Sequence, residues 1–420
     1  MNRKYRPDTP ENREYLEELR NELLRFGRSF PSPSGASYYL GSDGSPLKDR
    51  DLETWITCRM AHVYSLGCLL GFPGSGELVD QALKGLRTVL HDEQNGGWYP
   101  AVDRGLNPKA DKQCYAHAFV ILAASSALAA GRQGAGELLK ESTELFLKYF
   151  WDKEKGLTKD TWNTEFTVCD PYRGLNANMH TVEAFLAVAD VTGEEVWRQR
   201  AGRIIQQVLK WAEENGWRIP EHFDENWKPL YEYNSGKKDD PFKPYGATPG
   251  HGIEWARLIT QWALAACPQE KENSRSYIEK AESLFNRAVA DGWNADGERG
   301  IVYTTDWSGA PVVRDRMHWT LAEAINTSAV LYHITGKEAY AEKYGQFLTY
   351  LQDCVRDPVN GSWYHQLDEH NRLKETVWPG KSDLYHALQA TLIPLLDPAV
   401  SVVPALQRKL VREVENGERV

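Results

Sequence analysis

The most reactive groups in this sequence are histidines placed three residues from a carboxylate in otherwise apolar stretches. His251-Gly252-Ile253-Glu254 puts an imidazole and an acid at i, i+3. That spacing shares one helix face, so the acid can fix the imidazole tautomer and raise its basicity. Asp383-Leu384-Tyr385-His386 repeats the device in reverse order. Apolar flanks (Ile253, Trp255, Leu384, Leu388) argue against ordinary surface ion pairs. Two such histidines facing each other across a small ligand make an acid–base pair for proton transfer. Further polar residues interrupt apolar stretches at Arg59, Tyr115, His117, Asn176, His180 and His318. Each unsatisfied buried polar group costs about 1–3 kcal/mol, so the set needs a purpose or a complete internal network. An Arg among them can hold a developing oxyanion. The chain also carries 15 Trp, with Trp55, Trp98, Tyr99, Trp162, Trp307, Trp319, Trp363 and Trp378 in or near turn-rich segments. Aromatic faces stack on the C–H faces of sugars, and a polar cavity with aromatic walls points to a carbohydrate. Despite 11 His, no H-x-x-x-H or H-E-x-x-H spacing occurs, so no metal is expected. Gly71-Phe72-Pro73-Gly74-Ser75-Gly76 and Gly380-Lys381-Ser382 lack the context of nucleotide-binding loops.

These residues must be positioned by repeated elements. Six times a short aromatic segment runs into an Asp/Asn/Gly-rich turn, anchored on Tyr39, Trp98, Leu157, Trp217, Val302 and Trp363. The period is about 60 residues, enough for two helices and a hairpin. The second and sixth copies share Asp-x-x-Asn-Gly-x-Trp-Tyr, at Asp92–Tyr99 and Asp357–Tyr364. After each hairpin comes a nearly all-apolar helix: Leu52–Leu70, Gln113–Ala130, Asn176–Val191, Gly252–Cys267, Trp319–Thr335 and Ser382–Leu396. Amphipathic helices alternate with them at Val79–His91, Gly136–Phe150, Glu195–Asn215, Ser274–Ala290 and Glu338–Val355. Buried inner helices alternating with one-sided outer ones predict an all-α fold, an (α/α)6 barrel with its short hairpins at the active-site end. The fourth interval is longer by about 25 residues, an excess typical of a functional loop. Its aromatic segment Trp227–Gly250 is expected to be an ordered lid, with Phe242 as a cavity wall. No linker interrupts the repeat, so residues 1–420 are expected to form one catalytic domain.

Composition narrows the setting. Net charge is −10 without a basic cluster, which argues against nucleic acid. No apolar run is long enough for a membrane span, and Met1–Glu14 has no signal-peptide core. Six scattered cysteines read as reduced thiols and a cytoplasmic location. The expected partner is a monosaccharide, bound by a monomer or a homo-oligomer.

Four segments carry a family resemblance: Trp55-Ile56-Thr57-x-Arg59-Met60-x-His62-Val63, Asn176-x-Asn178-Met179-His180-x-x-Glu183-Ala184, Pro249-Gly250-His251-x-x-Glu254-Trp255 and Lys381-x-Asp383-x-Tyr385-His386-Ala387-Leu388-Gln389. Together the sequence from about residue 12 to 396 resembles the N-acylglucosamine 2-epimerase superfamily, in particular its aldose–ketose isomerase branch. The resemblance implies an (α/α)6 barrel and cofactor-free, metal-free interconversion of sugars at C1/C2, here of mannose with fructose and of lyxose with xylulose. It implies His386 as the base acting through a cis-enediol, and His251, held by Glu254, as the group that opens the ring. Arg59, Asn176 and His180 would hold substrate oxygens; Trp55, Tyr115, Phe242, Trp319 and Asp383 would shape the pocket. Branch members acting on sulfoquinovose use an Arg and a Gln where this sequence has Pro241 and Ser382, which favours a neutral hexose. Lys243 and Lys381 are expected to face solvent. Three rival readings are a sugar 2-epimerase, an (α/α)6 glycoside hydrolase using Glu254 and Asp383, and a sugar-binding module without catalysis.

Overall fold

A computed structural model describes residues 2–266 and 271–412. The inner ring consists of α2 (Thr54–Leu69), α4 (Cys114–Ala129), α6 (Leu175–Thr192), α8 (Pro249–Ala266), α10 (His318–Thr335) and the short α12 (Tyr385–Gln389). Around it stand α1 (Pro10–Phe26), α3 (Ser75–Arg87), α5 (Ala135–Tyr149), α7 (Val196–Glu214), α9 (Lys271–Gly292) and α11 (Glu338–Tyr350). Each inner helix packs on the next, and α12 returns to α2, so the (α/α)6 ring is closed. The sequence pattern leaves the twelfth helix unassigned. It is α1, which packs against both α12 and α2. Thr9 caps it by accepting the Asn12 N–H, and Pro10 supplies a first helical residue with no N–H to satisfy.

The inner helices are buried on nearly every face, and the outer ones on one stripe. The sixth inner element departs from expectation. Instead of a helix over Ser382–Leu396 there is one short α-helix, a turn and a 3-10 segment at Ile393–Leu395. Pro394 has no N–H to donate within a helix, and Asp383 precedes the first helical turn. Beyond it, α13 (Val402–Gln407) folds against α2, α4 and α6. Cys267, the predicted end of the fourth inner helix, lies outside the described residues. Cys58, Cys68, Cys114, Cys169 and Cys354 are free thiols. No helix among the described residues is long and apolar enough to cross a membrane.

The repeats are stitched together by short backbone pairings. The residues leading into α2, Leu52–Glu53, pair antiparallel with Ala101–Val102 of the next repeat. Those leading into α4 and α6, Lys112–Gln113 and Arg173–Gly174, pair with Thr161–Trp162 and His222–Phe223. Ala247 bridges Thr305 before α8, and Arg316–Met317 pair with Gln366–Leu367 before α10. The Lys381 N–H donates to the Leu40 carbonyl at 3.0 Å and completes the circle. This ring fixes where each inner helix starts. It also satisfies N–H groups at helix starts that lack side-chain caps: Thr54 donates to Pro100 O and His318 to His365 O.

The shared motif of the second and sixth hairpins has a structural meaning. Lys112 Nζ donates to Asp92 Oδ2 (2.8 Å) and Gly96 O (3.0 Å). Lys381 Nζ does the same to Asp357 Oδ2 (2.7 Å) and Gly361 O (2.5 Å). Both ammonium groups are buried, so Lys381 is a hairpin clasp and not the solvent-facing residue expected. Lys243 is half-buried, with its ammonium 3.8 Å from the Tyr172 ring centre.

Candidate active site

Because all inner helices start at the hairpin end, their first turns converge there on one cavity. Its wall includes Trp55, Arg59, Tyr115, Asn176, His180, Phe242, His251, Glu254, Trp319, Asp383 and His386. Every predicted site residue is therefore brought together. His117 is the exception among the wider candidates. It accepts the Trp98 N–H at 3.1 Å and lies 2.7 Å from the Gln113 carbonyl, so it props the second hairpin. The rim aromatics divide in the same way. Trp98 and Trp363 are fully buried hairpin cores, while Trp55, Trp319 and Trp378 face the cavity.

The two histidines carry carboxylate partners, but not the ones three residues away. His251 Nδ1 lies 3.0 Å from Glu221 Oε1, an acid at the end of the fourth hairpin. His386 Nδ1 lies 3.0 Å from Glu323 Oε1 on α10. Nδ1–H facing a carboxylate sets the tautomer in each ring and leaves Nε2 as the free base. The i, i+3 rule places Glu254 on the correct helix face, but cannot see a stronger acceptor arriving from another element. Glu254 is 1 % exposed, and neither of its oxygens has a hydrogen-bond partner among the described residues. Burial, together with the charge of Glu323, pushes its carboxyl well above the usual range, which favours the neutral form. Asp383 likewise does not hold His386. It pairs with Arg59 at 3.2 Å, accepts from Ser382 Oγ at 3.2 Å and caps the Tyr385 N–H at 2.9 Å.

Under the cavity floor lies an ionic network. Arg257 Nε donates to Glu323 Oε2 at 2.8 Å, and its NH2 is 3.6 Å from Glu254. Glu323 thus bridges Arg257 and His386, and these neighbours hold its carboxyl low against burial. Burial lowers the His386 imidazole, with Glu323 opposing, so the ring is a neutral base near pH 7. His180 is paired with Glu183 at 3.3 Å, and burial brings its imidazole down to about 4. Glu183 also accepts from Tyr385 Oη. The Arg59 guanidinium donates to Tyr115 Oη at 3.0 Å and lies over the rings of Trp55, Phe119 and Tyr385. Burial opposes its charge, but Tyr115 and Asp383 outweigh that, so it stays cationic.

Trp319 spans the two bases, its ring centre 5.1 Å from that of His251 and 5.9 Å from that of His386. That closeness depends on Gly250, where a Cβ would come within 2.7 Å of the Trp319 ring. The segment Trp227–Gly250 runs in a series of turns and contributes Pro241, Phe242 and Pro244 to the cavity wall. From it Phe242, 42 % exposed, wedges edge-on between Trp55, Tyr115 and Trp378. Sequence reasoning missed Glu221, Glu323, Arg257 and His365 as members of the site or its support. Glu323 carries a readable signal, a lone acid inside the apolar α10.

Two trios, His180/Glu183/Glu254 and Glu254/Glu323/His386, bring potential metal-ligand atoms within 4.8 Å of one another. Their donors are already engaged: Glu323 by Arg257 and His386, Glu183 by His180 and Tyr385. The Arg257 guanidinium, 3.6 Å from Glu254 and 2.8 Å from Glu323, already supplies the cationic charge there. The donor set does not fit a cation.

Fold and cavity define an (α/α)6-barrel enzyme whose site is built from two carboxylate-backed imidazoles and a buried arginine. The N-acylglucosamine 2-epimerase (GlcNAc 2-epimerase) pattern matches residues 35–390. The chain belongs to that family. It is 42 % identical over 398 residues to the D-mannose isomerase of Thermobifida fusca, covering 94 % of this chain and 97 % of that one. It is 40 % identical over 401 residues to the D-mannose isomerase of Pseudomonas cannabina pv. alisalensis, covering 95 % and 96 %. A crystal structure of a D-mannose isomerase superposes with a TM-score of 0.84 at 27 % identity, covering 91 % of this chain and 97 % of that one.

Proposed function

We propose that this protein is a cofactor-free aldose–ketose isomerase that interconverts D-mannose and D-fructose, with lyxose and xylulose as smaller substrates of the same site. The observation that carries the reading is the pair of imidazoles facing the cavity on either side of Trp319, each with Nδ1 committed to a carboxylate. Proton transfer between adjacent carbons needs a neutral base that can return the proton it took, and His386 meets that need. His251 opens the pyranose by moving a proton between the ring oxygen and the anomeric hydroxyl. His386 Nε2 then takes the proton from C2 and delivers it to C1 while the O2 hydroxyl proton passes to O1, so the aldehyde becomes an alcohol and C2 a ketone without a redox partner. The cis-enediol in between carries oxyanion charge. Arg59 faces it, and the positive ends of the inner helices point the same way. Glu254, whose oxygens accept no hydrogen bond among the described residues, is placed to exchange a proton with a substrate oxygen. Asn176, His180 and Tyr115 orient hydroxyls, and Trp55, Trp319 and Phe242 form the apolar walls. Asp383 acts through Arg59.

The residues 1–420 act as one catalytic domain in this reading, since the repeats close a complete ring. Two positions support a neutral sugar: Lys243 is spent on Tyr172 and Lys381 on Asp357, leaving Arg59 as the cation of the cavity wall. Incubation of EDTA-dialysed protein with mannose in deuterium oxide tests the proposal. Fructose should be the main product, with deuterium entering at C1 of fructose and C2 of recovered mannose. Glucose as the main product would replace isomerisation by 2-epimerisation, and a loss of rate restored by manganese or cobalt would refute the metal-free mechanism.

A further inference from the structure

A pair of histidines in the cavity wall has no part in the mechanism above. His318, the first residue of α10, and His365, from the sixth hairpin, stack ring on ring with centres 3.7 Å apart and planes 11° from parallel. Both line the cavity. His365 Nδ1 meets Ser382 Oγ at 3.4 Å. His318 Nδ1 faces the His365 carbonyl oxygen at 3.4 Å, a position in which only an N–H is tolerable, because a bare nitrogen would oppose a bare oxygen. The proton of His318 is thereby assigned to Nδ1, and Nε2 is left as an acceptor. That nitrogen is buried, in a residue 7 % exposed, and has no hydrogen-bond partner among the described residues. The His318 ring centre stands 6.3 Å from that of His386, within one sugar length of that base.

We infer that His318 Nε2 accepts a hydrogen bond from one hydroxyl of the bound sugar and selects for a group with a hydrogen to donate at that position. The inference deepens the aldose reading and rests on it. The alternative, a protonated ring that would donate instead, is opposed by the surroundings. Burial, with His365 and His386 beside it and Arg59 nearby, drives this imidazole well below its ordinary value. A phosphate or sulfonate oxygen carries no hydrogen at neutral pH and would meet a lone pair. A deoxy carbon would leave the nitrogen dry and unsatisfied, the situation that makes sites built to bind a hydroxyl discriminate strongly.

The test is a substitution cycle on both partners. His318→Phe keeps the flat ring against His365 but removes the acceptor; His318→Gln returns an acceptor near the Nε2 position. Binding of mannose and of its 1-, 2-, 3-, 4- and 6-deoxy forms is measured by calorimetry for each protein, alongside kcat/KM for mannose. His318→Phe should weaken mannose binding and kcat/KM by about tenfold to a hundredfold, the span expected for stranding one buried hydrogen-bonding group. His318→Gln should recover most of the loss. One deoxy sugar should bind wild type as weakly as mannose binds His318→Phe, and for that sugar the substitution should add nothing. Unchanged mannose binding by His318→Phe would overturn the inference, and so would an equal penalty on all six sugars, which would make the histidine a prop for His365. Failure of the isomerase reading is separable. It would show as wild type producing no fructose, while the binding cycle still reports on His318.

Discussion

Glu221→Gln separates the observed site from the arrangement that local spacing alone would suggest. Glu221 approaches His251 from outside its helix, 3.0 Å from Nδ1, with both side chains largely buried. The carboxylate does two things there: it fixes the proton on Nδ1 and it stabilises the imidazolium formed when Nε2 takes a proton. A hydrogen bond to a charged group contributes about 1.5–3 kcal/mol. At about 1.36 kcal/mol per tenfold change in rate, full loss of this bond in the transition state corresponds to roughly tenfold to a hundredfold or slightly more. Gln keeps the shape, but its amide can rotate to present N–H, which invites the wrong tautomer. The drop should therefore fall mainly on kcat, with KM for mannose changed little, since Glu221 is not in the cavity wall. Initial rates of fructose formation, checked against circular dichroism for an intact fold, give the answer. A kcat within twofold of wild type would refute Glu221 as the group that sets the His251 tautomer.

Other expectations follow from the same geometry. His386→Ala should remain folded and lose about two to four orders of magnitude in kcat, the usual contribution of a general base; near-normal turnover would remove His386 from the mechanism. Glu254→Gln should also be slow, because an amide cannot hand over a proton, yet its stability should improve relative to wild type as pH rises. The sign follows from the raised carboxyl. Above the unfolded value near 4.5 the unfolded chain binds fewer protons than the native one, so wild type loses stability with rising pH and the Gln variant does not. Melting temperatures from pH 5 to 9 should diverge in that direction, and parallel curves would contradict a buried neutral acid. Phe242→Ala should raise KM by roughly fivefold to tenfold with a smaller effect on kcat, as expected for losing about 1–1.5 kcal/mol of aromatic contact; an unchanged KM would demote the loop to a surface excursion.

The barrel was readable because its signal is repeated. Helices buried on all sides, alternating with helices buried on one, appear at every period, so errors at single boundaries do not disturb the count. Convergence of the site was readable for the same reason: polar residues near the starts of inner helices must share one end. What local sequence cannot reveal is which acid reaches which histidine. His251 and Glu221 are 30 residues apart, and His386 and Glu323 are 63 apart. Those pairings exist only after the ring has closed. An i, i+3 pair does form at His180 and Glu183, on one helix face. The short α12 was obscured by apolar composition, which is shared by helices and by buried turns. Lys381 was misplaced because a lysine is expected outside, and its partner Asp357 is supplied by the hairpin before it.

The two lysine clasps stand in the hairpins on either side of α2, the helix that carries Trp55 and Arg59. That arc of the rim is riveted from beneath by buried ion pairs, whereas the opposite arc holds the long segment with Phe242 at its tip. The mouth thus has one arc tied down by buried ion pairs and one arc built of turns. Changes of substrate range should accumulate on the turn-built arc, where a residue can be replaced without breaking an ion pair, and the tied arc should resist them.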